Sequence, residues 1–312
     1  MKNTPFAPLL VLLAGTIALP GVLSAQPTDP VAVSSTSTAE YSQQKFGPGA
    51  PKPESYLFFQ GKFYGGTTRD TDLENAQFNQ IVKILAENLV HQNYFPSKDP
   101  KNADLLLVVH WGTTTVYVNP NMQDDQDRLN QLQAAYNAQV AASQSSTSRK
   151  GGGGGPPPPP PDPGPLNAAL QMVDADREQM MKQIGVNAQL LGFNDQIAKD
   201  RAAGTASASG VSTSESNLLE LLTEERYFVV LMAYDYHTMK KGSTPKLLWS
   251  TRFSIRAPGN KFTAALPVMS KAAADYFGRA IDGLKMETPL STVREGKVEV
   301  GSPTVVGDGK SK

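Results

Sequence analysis

The fold is decided by two segments, RYFVVLMAYDYHTM (Arg226 to Met239) and KLLWSTRFSIRA (Lys246 to Ala257). Both are dense in β-branched and aromatic residues, as strands are, and the Lys, Gly and Pro residues between them predict a hairpin loop. If residue 239 lies near residue 246, one face of the hairpin carries the larger apolar side chains. We expect this face to meet the core; its members are Val230, Met232, Tyr234, Tyr236, Trp249, Thr251, Phe253 and Ile255.

Three more elements lie upstream of the hairpin. Tyr56 to Tyr64 alternates as a strand, and Ala103 to Val118 opens with a nearly continuous apolar run, as a strand buried on both faces does. Between them, Asp70 or Asp72 can cap an amphipathic helix that ends near Asn93. The first strand places three apolar side chains on one face, Leu57, Phe59 and Phe63.

A last helix, Phe262 to Leu284, carries an apolar stripe and completes the set. We predict an α+β fold, a two-layer domain in which a four-stranded sheet packs against two helices. The domain is assembled from residues 54–118 and 226–285. Neither half has enough surface to bury its apolar face alone, so residues 119–225 are an insertion that leaves and re-enters the same domain.

The insertion is rich in Gln, Asn and Ala, and five glycines followed by six prolines interrupt it at residues 151–161. Neither tract can bury a core, so we predict a disordered Gly- and Pro-rich loop over about 144–165. Weakly amphipathic helical patterns flank the loop and can pair as a hairpin. A second low-complexity stretch, 202–216, predicts a flexible patch.

The chain ends predict export and disorder. A positive Lys2, an apolar run to Leu23 and a small residue before Gln26 are typical of a secretory signal peptide over residues 1–25, cleaved between Ala25 and Gln26. The alternative is an uncleaved anchor, but the run is short for a span. After cleavage we expect no transmembrane span and a periplasmic or secreted protein. Residues 26–53 predict a disordered linker and residues 286–312 a mobile tail.

Composition excludes several classes of protein. The 312 residues include no cysteine, which excludes disulfides, thiol nucleophiles and zinc–thiolate sites. Positive and negative residues balance at 29 each, so no overall field favours nucleic acid. We find no HExxH pair, calcium loop, phosphate loop or Gly-x-Ser-x-Gly motif, and therefore predict no metal, no cofactor and no catalytic residue.

One group of polar side chains could still form a site in the absence of these motifs. Asp235, His237 and Arg252 share a face if the hairpin aligns as above, and His110 can join them from a neighbouring strand. A solvated face with a cross-strand ion pair is the simpler interpretation of this polar cluster, and catalysis or metal binding is the alternative.

The charge distribution predicts an anionic partner. Residues 226–285 contain ten Lys or Arg against three Asp. Five of these cations crowd the hairpin and form a candidate basic edge for lipid headgroups or a polyanion: Lys240, Lys241, Lys246, Arg252 and Arg256. Two alternatives stay open, pairing with acidic residues of the insertion and plain solvation.

The second face of the predicted sheet is too apolar for free exposure. Its members are Tyr56, Phe58, Tyr64, Tyr227, Val229 and Leu231. Either the insertion covers this face, which gives three layers, or a partner protein or second copy does.

The layout of these elements, with NYFP (93–96), ADLLL (103–107) and KLLWS (246–250), resembles the small α/β domains of bacterial envelope proteins. These envelope domains are similar in layout to lipopolysaccharide-assembly lipoprotein E and to the N-terminal domain of the Tol-system protein TolB. The resemblance covers only the two halves of the domain and implies an envelope protein that works by binding or scaffolding.

We therefore predict an exported envelope protein that acts as a non-enzymatic binding or assembly factor. An envelope protein or an anionic envelope component is the expected partner, and self-association is open. The alternative is a hydrolase of envelope material that uses the polar cluster, and a third hypothesis makes the Gly- and Pro-rich insertion a spacer between envelope layers.

Overall fold

The computed structural model of the protein describes residues 29–99, 101–148, 160–205, 213–242 and 244–289. The predicted signal peptide, its cleavage point between Ala25 and Gln26, the glycine run and all but the first residues of the predicted tail lie outside this part of the chain.

Seven strands form one mixed sheet in the described residues. In chain order they are β1 (Val31–Ser37), β2 (Glu54–Gly65), β3 (Tyr94–Pro96), β4 (Leu105–Thr113), β5 (Arg226–Asp235), β6 (Leu247–Arg256) and β7 (Leu284–Glu287). Their order across the sheet is β3-β2-β4-β5-β6-β1-β7. Strand β2 runs parallel to β3 and β4, and all other neighbours are antiparallel. The mixed α and β class is as predicted, but the predicted number of four strands is wrong.

Strand β1 shows why the strand count was too low. It lies inside residues 26–53, predicted as a disordered linker, and its Ser- and Thr-rich sequence VAVSSTS has little apolar pattern. It is nevertheless buried because β6 and β7 pair with its two edges and a core lies against each of its faces, with Val33 in one and Ala32 in the other. The hydroxyls of Ser35 and Thr251 satisfy each other there at 2.8 Å. Its burial depends on strands distant in sequence, which local composition does not report.

Nine helices accompany the sheet in the residues that the structure describes. They are α1 (Ala39–Phe46), α2 (Thr71–Glu74), α3 (Phe78–Leu89), α4 (Met122–Ser148), α5 (Gly164–Leu191), α6 (Asn194–Thr205), α7 (Thr213–Leu221), α8 (Tyr236–Lys240) and α9 (Phe262–Ala273). None of them combines the length and the apolar character that a membrane crossing requires.

Several predicted bounds change. The helix expected to end near Asn93 is divided into α2, which Asp70 caps through the amides of Asp72 and Leu73, and α3. Helices α4 and α5 extend into the loop predicted for 144–165, and α6 and α7 into the patch predicted for 202–216. The last helix ends at Ala273, and strand β7 takes the first two residues of the predicted tail.

Helices α3 and α9 pack against one face of the sheet, which we call the first face. This is the predicted pair of helices on one side, but two helices do not complete the fold. The main core between them is built from Leu85, Leu89, Leu105, Leu107, Val109, Val229, Leu231, Trp249, Phe253, Phe262, Leu266 and Met269.

The predicted register of the hairpin is wrong by three residues on β5, because pairing 239 with 246 places Val230 opposite Ile255 and the structure places Tyr227 there. The structure pairs Val229 with Phe253 and Ala233 with Trp249, so odd-numbered residues of β5 face the main core. The cause is helix α8, which ends the strand at Asp235 and lengthens the connection, while the register also shifts between Ala233 and Tyr234. A slip by an odd number of residues moves every side chain to the other face. The core residues predicted on β6 are placed correctly.

The insertion covers part of the opposite, second face, which gives the three-layer arrangement. Helices α5, α6 and α7 contribute Ile184, Ala188, Leu191, Ile197 and Leu218, which pack on Ala32, Phe228 and Val230 of the sheet. Of the residues predicted to need this cover, Tyr64 lies here, whereas Tyr56, Tyr227, Val229 and Leu231 belong to the main core.

The turn between α5 and α6 lies directly on β1. Its Gly192 has φ +76, and a Cβ there would stand 2.6 Å from Ser34 Oγ. Only glycine combines this left-handed conformation with so close an approach, so the turn fixes the insertion against the sheet.

Candidate functional site

The structure does not assemble the predicted polar cluster. Asp235 caps α8, accepting hydrogen bonds from the amide and hydroxyl of Thr238 at 2.9 and 2.7 Å. Arg252 pairs in register with Val230 and therefore lies on the second face, away from Asp235. The prediction that Asp235, His237 and Arg252 share a face was wrong because it rested on the incorrect hairpin register.

His237 instead approaches Asp104, with 3.6 Å between Nε2 and Oδ1. The other oxygen of Asp104 accepts hydrogen bonds from the amide and hydroxyl of Ser55, both at 2.7 Å. Burial alone would raise the pKa of Asp104, but the Ser55 hydrogen bonds and the nearby imidazole hold it below its ordinary value. A serine nucleophile is usually activated by a histidine bonded to its hydroxyl. Here the Ser55 hydroxyl donates to Asp104, whose lowered pKa makes it a weak base, and His237 contacts that carboxylate and not Ser55. This arrangement ties β2 to β4.

His110 lies apart from both groups, on the second face at a bulge in β2. Its Nδ1 accepts a hydrogen bond of 2.8 Å from the amide of Lys62, where the β2–β4 register shifts between Gln60 and Phe63. Burial, and then the charge of Lys62, lower the pKa of His110 below its ordinary value of 6.5. The neutral imidazole therefore fits the bulge, because a protonated Nδ1 cannot accept this bond.

Acid is expected to destabilise the protein through His110. The lowered pKa means that the folded chain binds fewer protons than the unfolded chain near pH 6, so stability falls as pH decreases through that range. The urea midpoint of wild type should drop more steeply between about pH 7.5 and 5.5 than that of His110→Gln, which retains an acceptor but does not titrate. His91→Gln, at an exposed position, reports the effect of removing a histidine as such. Equal slopes for wild type and His110→Gln would contradict this role.

Most cations of the predicted basic edge form ion pairs or hydrogen bonds within the chain. Lys246 pairs with Glu40 at 2.8 Å, and Arg256 contacts Glu224 of the insertion at 3.1 Å. Lys240 donates to the carbonyl of Lys101, and Arg252 is half-buried beneath the turn at Gly192. Lys241 is exposed. The pairing alternative therefore describes Arg256, and the five cations do not form one surface.

The second face retains an apolar surface beside the insertion, and only its Met232 packs against the core beneath the insertion. Two rows cross the strands β2, β4 and β5 in register, Leu57–Leu106–Tyr234 and Phe59–Val108–Met232. Phe59 is 58% exposed, and the other five side chains are half-buried. We call these six residues the apolar patch. Cross-strand neighbours of this kind lie close enough to form one continuous surface.

The apolar patch borders an open backbone edge. Strand β3 pairs with only the first residues of β2, and the outward-facing groups there are bonded: the Glu54 amide donates to Asn93 and the Tyr56 carbonyl accepts from Ser97. Backbone groups of a strand point to alternate sides, so Phe58 and Gln60 are the next to face outward. No backbone partner bonds them there among the described residues.

Sequence alternation misassigned one side chain beside this edge. Phe63 was predicted on the face of Leu57 and Phe59, but the bulge at residues 61–62 turns it to the first face, where its ring lies 5.9 Å from that of Trp111. Tyr64 turns the other way and meets Phe228 at 5.3 Å. Gly61 was the available signal, since glycine inside a strand often marks a bulge.

Within the described ranges, no group of three or more His, Asp or Glu side chains is placed to hold a metal ion. No protein-family model matches the chain. No curated protein matches its sequence either. The apolar patch and its adjoining edge are therefore the features that best indicate a function.

Proposed function

We propose that the protein is an exported, non-enzymatic binding or assembly factor of the bacterial cell envelope, and that its partner is a protein that docks on the apolar patch. The observation that carries the proposal is the pair of in-register rows on β2, β4 and β5, of which Met232 alone packs against the core beneath the insertion. A continuous apolar surface on a folded domain typically marks an interaction site. Export rests on the signal peptide predicted at residues 1–25.

The adjoining edge specifies the form of the partner. An extended segment can continue the line of β3, bond the outward groups of Phe58 and Gln60, and lay alternate apolar side chains over Phe59 and Leu57. Backbone hydrogen bonds then supply affinity and the patch supplies selectivity. We therefore propose an extended partner segment with apolar residues at alternate positions.

The other candidates have less support. An anionic partner rested on five free cations, and Lys246 and Arg256 are paired within the chain. A hydrolase rested on Asp235, His237 and Arg252 lying together, and Asp235 and Arg252 lie on opposite faces. A spacer role for the insertion does not account for the apolar patch.

A photo-crosslinking residue at position 59 tests the proposal in the full chain, expressed in its native cell. Val186 on α5 is a matched control, since it is also 58% exposed but lies outside the patch. We expect position 59 to form one discrete adduct with another protein, mapped to an extended, alternately apolar segment, and position 186 to form none. Mass spectrometry of the same sample should find the chain beginning at Gln26.

The mapped segment, made as a synthetic peptide, then provides an affinity measurement. We expect Phe59→Ser to weaken its binding by about tenfold or more and Val186→Ser to leave it unchanged. Position 59 could instead crosslink to a second copy of the chain or to residues 290–312 of the same chain. In that case the crosslinked segment, and not a partner protein, occupies the patch. Equal adducts at both positions would contradict a specific interaction at the patch.

A further inference from the structure

His110 lies between the apolar patch and the bulge in β2. On β4 it is two residues beyond Val108, so both side chains point to the second face. Its partner on β5 is Val230, which is likewise two residues from Met232, the partner of Val108. The imidazole therefore belongs to the next row of the sheet after Phe59–Val108–Met232, directly beside the proposed docking surface.

The bulge is built around this imidazole. Gly61 and Lys62 together lie opposite His110, because the β2–β4 register shifts between Gln60 and Phe63. A Cβ at Gly61 would stand 2.7 Å from His110 Nδ1, so only glycine lets the backbone approach the ring this closely. A change at the imidazole therefore acts directly on the backbone of β2.

The hydrogen bond from the Lys62 amide fixes where a proton can add. His110 Nδ1 accepts this bond at 2.8 Å, so the neutral ring carries its proton on Nε2. A second proton, taken from solvent, has to add to Nδ1, because that nitrogen holds the free electron pair. The new Nδ1–H and the Lys62 N–H then point at each other, and the amide loses its acceptor. Protonation thus breaks the bond that holds the bulge.

The elements around His110 oppose its protonation. Burial, and then the charge of Lys62 on β2, lower the pKa of the imidazole. Strand β4 has no other charged residue, β5 presents the apolar Val230, and β6 adds Arg252 in register with Val230. The insertion contributes apolar side chains to the cluster around Val230. Among the described residues, no carboxylate acts on the imidazole to stabilise its cation.

Docking at the patch and protonation of His110 oppose one another. Gln60, whose outward backbone groups a partner segment would bond, directly precedes the bulge, so a bulge that opens displaces this edge. A segment that lies over Phe59 also removes water from the neighbouring imidazole, and loss of water disfavours the charged form. Such coupling is reciprocal, so the proton weakens docking by the same factor as docking disfavours the proton.

We propose that His110 is a pH-sensitive switch for the apolar patch: the neutral imidazole holds the edge of β2 in the form that binds the partner segment, and the protonated imidazole releases it. This inference rests on the proposed function of the patch. The partner is bound near neutral pH and released in mild acid. Because one proton is excluded on docking, affinity falls by at most about tenfold per pH unit below the pKa of His110 in the free chain.

Amide NMR of the ¹⁵N-labelled full chain tests the switch without the partner. We expect the Lys62 amide resonance to move on acidification, with a midpoint below pH 6.5, as its bond to Nδ1 is lost. In His110→Gln, whose side-chain oxygen can accept the same bond, this resonance should stay in place. In His91→Gln, at an exposed position, it should move as in wild type. A Lys62 resonance that moves equally in wild type and His110→Gln would overturn the proposal.

Docking is measured with the synthetic peptide of the segment that crosslinks to position 59. We expect wild type to bind it about threefold or more weakly at pH 5.5 than at pH 7.5, with unchanged circular dichroism, and His110→Gln to bind it equally at both. Lys62→Gln keeps the amide but removes the exposed cation, so its loss of binding should begin at higher pH.

The same measurements separate this inference from the proposed function. Absence of peptide binding by wild type at pH 7.5 contradicts the proposed function. Binding by wild type that is equal at both pH values overturns the switch, as does an equal loss in His110→Gln. Circular dichroism that shows unfolding of wild type at pH 5.5 would also overturn it, because release would then follow from loss of the fold.

Discussion

Deletion of residues 121–223, with a short Gly-Ser linker in their place, is expected to produce an aggregating protein that binds hydrophobic dyes. The deletion removes α4 to α7 and uncovers Phe228, Val230 and Ala32, which lie beneath the insertion at 0%, 5% and 1% exposure. Each large apolar side chain exposed costs about 1.5–3 kcal/mol, so the sheet loses a substantial share of the stability of a domain. Gel filtration, dye fluorescence and urea unfolding measure the effect.

A shorter deletion is the matched control. Removing residues 122–174 takes away α4 and the first part of α5, but keeps Asp176, which accepts hydrogen bonds from Tyr117 at 2.7 Å and Asn119 at 2.6 Å. The residues that cover the second face begin beyond this anchor, with Met180 and Ile184. We expect this variant to stay soluble with a urea midpoint close to that of wild type. If the longer deletion behaved in the same way, the insertion would not be a structural layer.

Replacement of Lys45 by Ala is expected to destabilise the domain by about 3 kcal/mol, because it removes the buried cation of a charge pair and leaves the carbonyls that it bonds without a donor. The side chain of Lys45 is fully buried and lies 3.3 Å from Glu54. Its ammonium also donates to the carbonyls of Lys52 and Asn93 and stands 3.9 Å from the centre of the Tyr94 ring. This network fastens α1 to the sheet.

Urea unfolding of Lys45→Ala beside Lys52→Ala measures the effect. Burial lowers the pKa of Lys45, opposed by the charge of Glu54, so its ammonium depends on the contacts around it. Lys52 is exposed and takes part through its backbone carbonyl, so its truncation should change stability little. A near-neutral Lys45→Ala would mean that α1 is held by other contacts and that residues 39–46 behave more like the predicted linker.

Much of the architecture is predictable from the sequence because it follows local periodicity. Strands β2, β4, β5 and β6 carry dense apolar or alternating patterns, and the apolar faces of α3 and α9 repeat at helical spacing. The cap on Asp70 likewise depends on residues next to it in sequence. The apolar patch was not predicted as a unit, since its six residues come from three strands whose faces could not be assigned without the register.

What the sequence alone determined is the set of strong strands and helices, the split of the domain by an insertion, and the absence of cysteine chemistry, because each depends on composition or on neighbours a few residues away. Only the tertiary structure decided that β1 is a buried strand, that α8 shifts the hairpin by three residues, and that the bulge at Gly61 turns Phe63. It also separated Asp235 from Arg252 and brought His110 to the bulge in β2. These outcomes depend on pairing between segments far apart in the chain, and strand pairing has a two-residue period in which a single step reverses the face of every side chain.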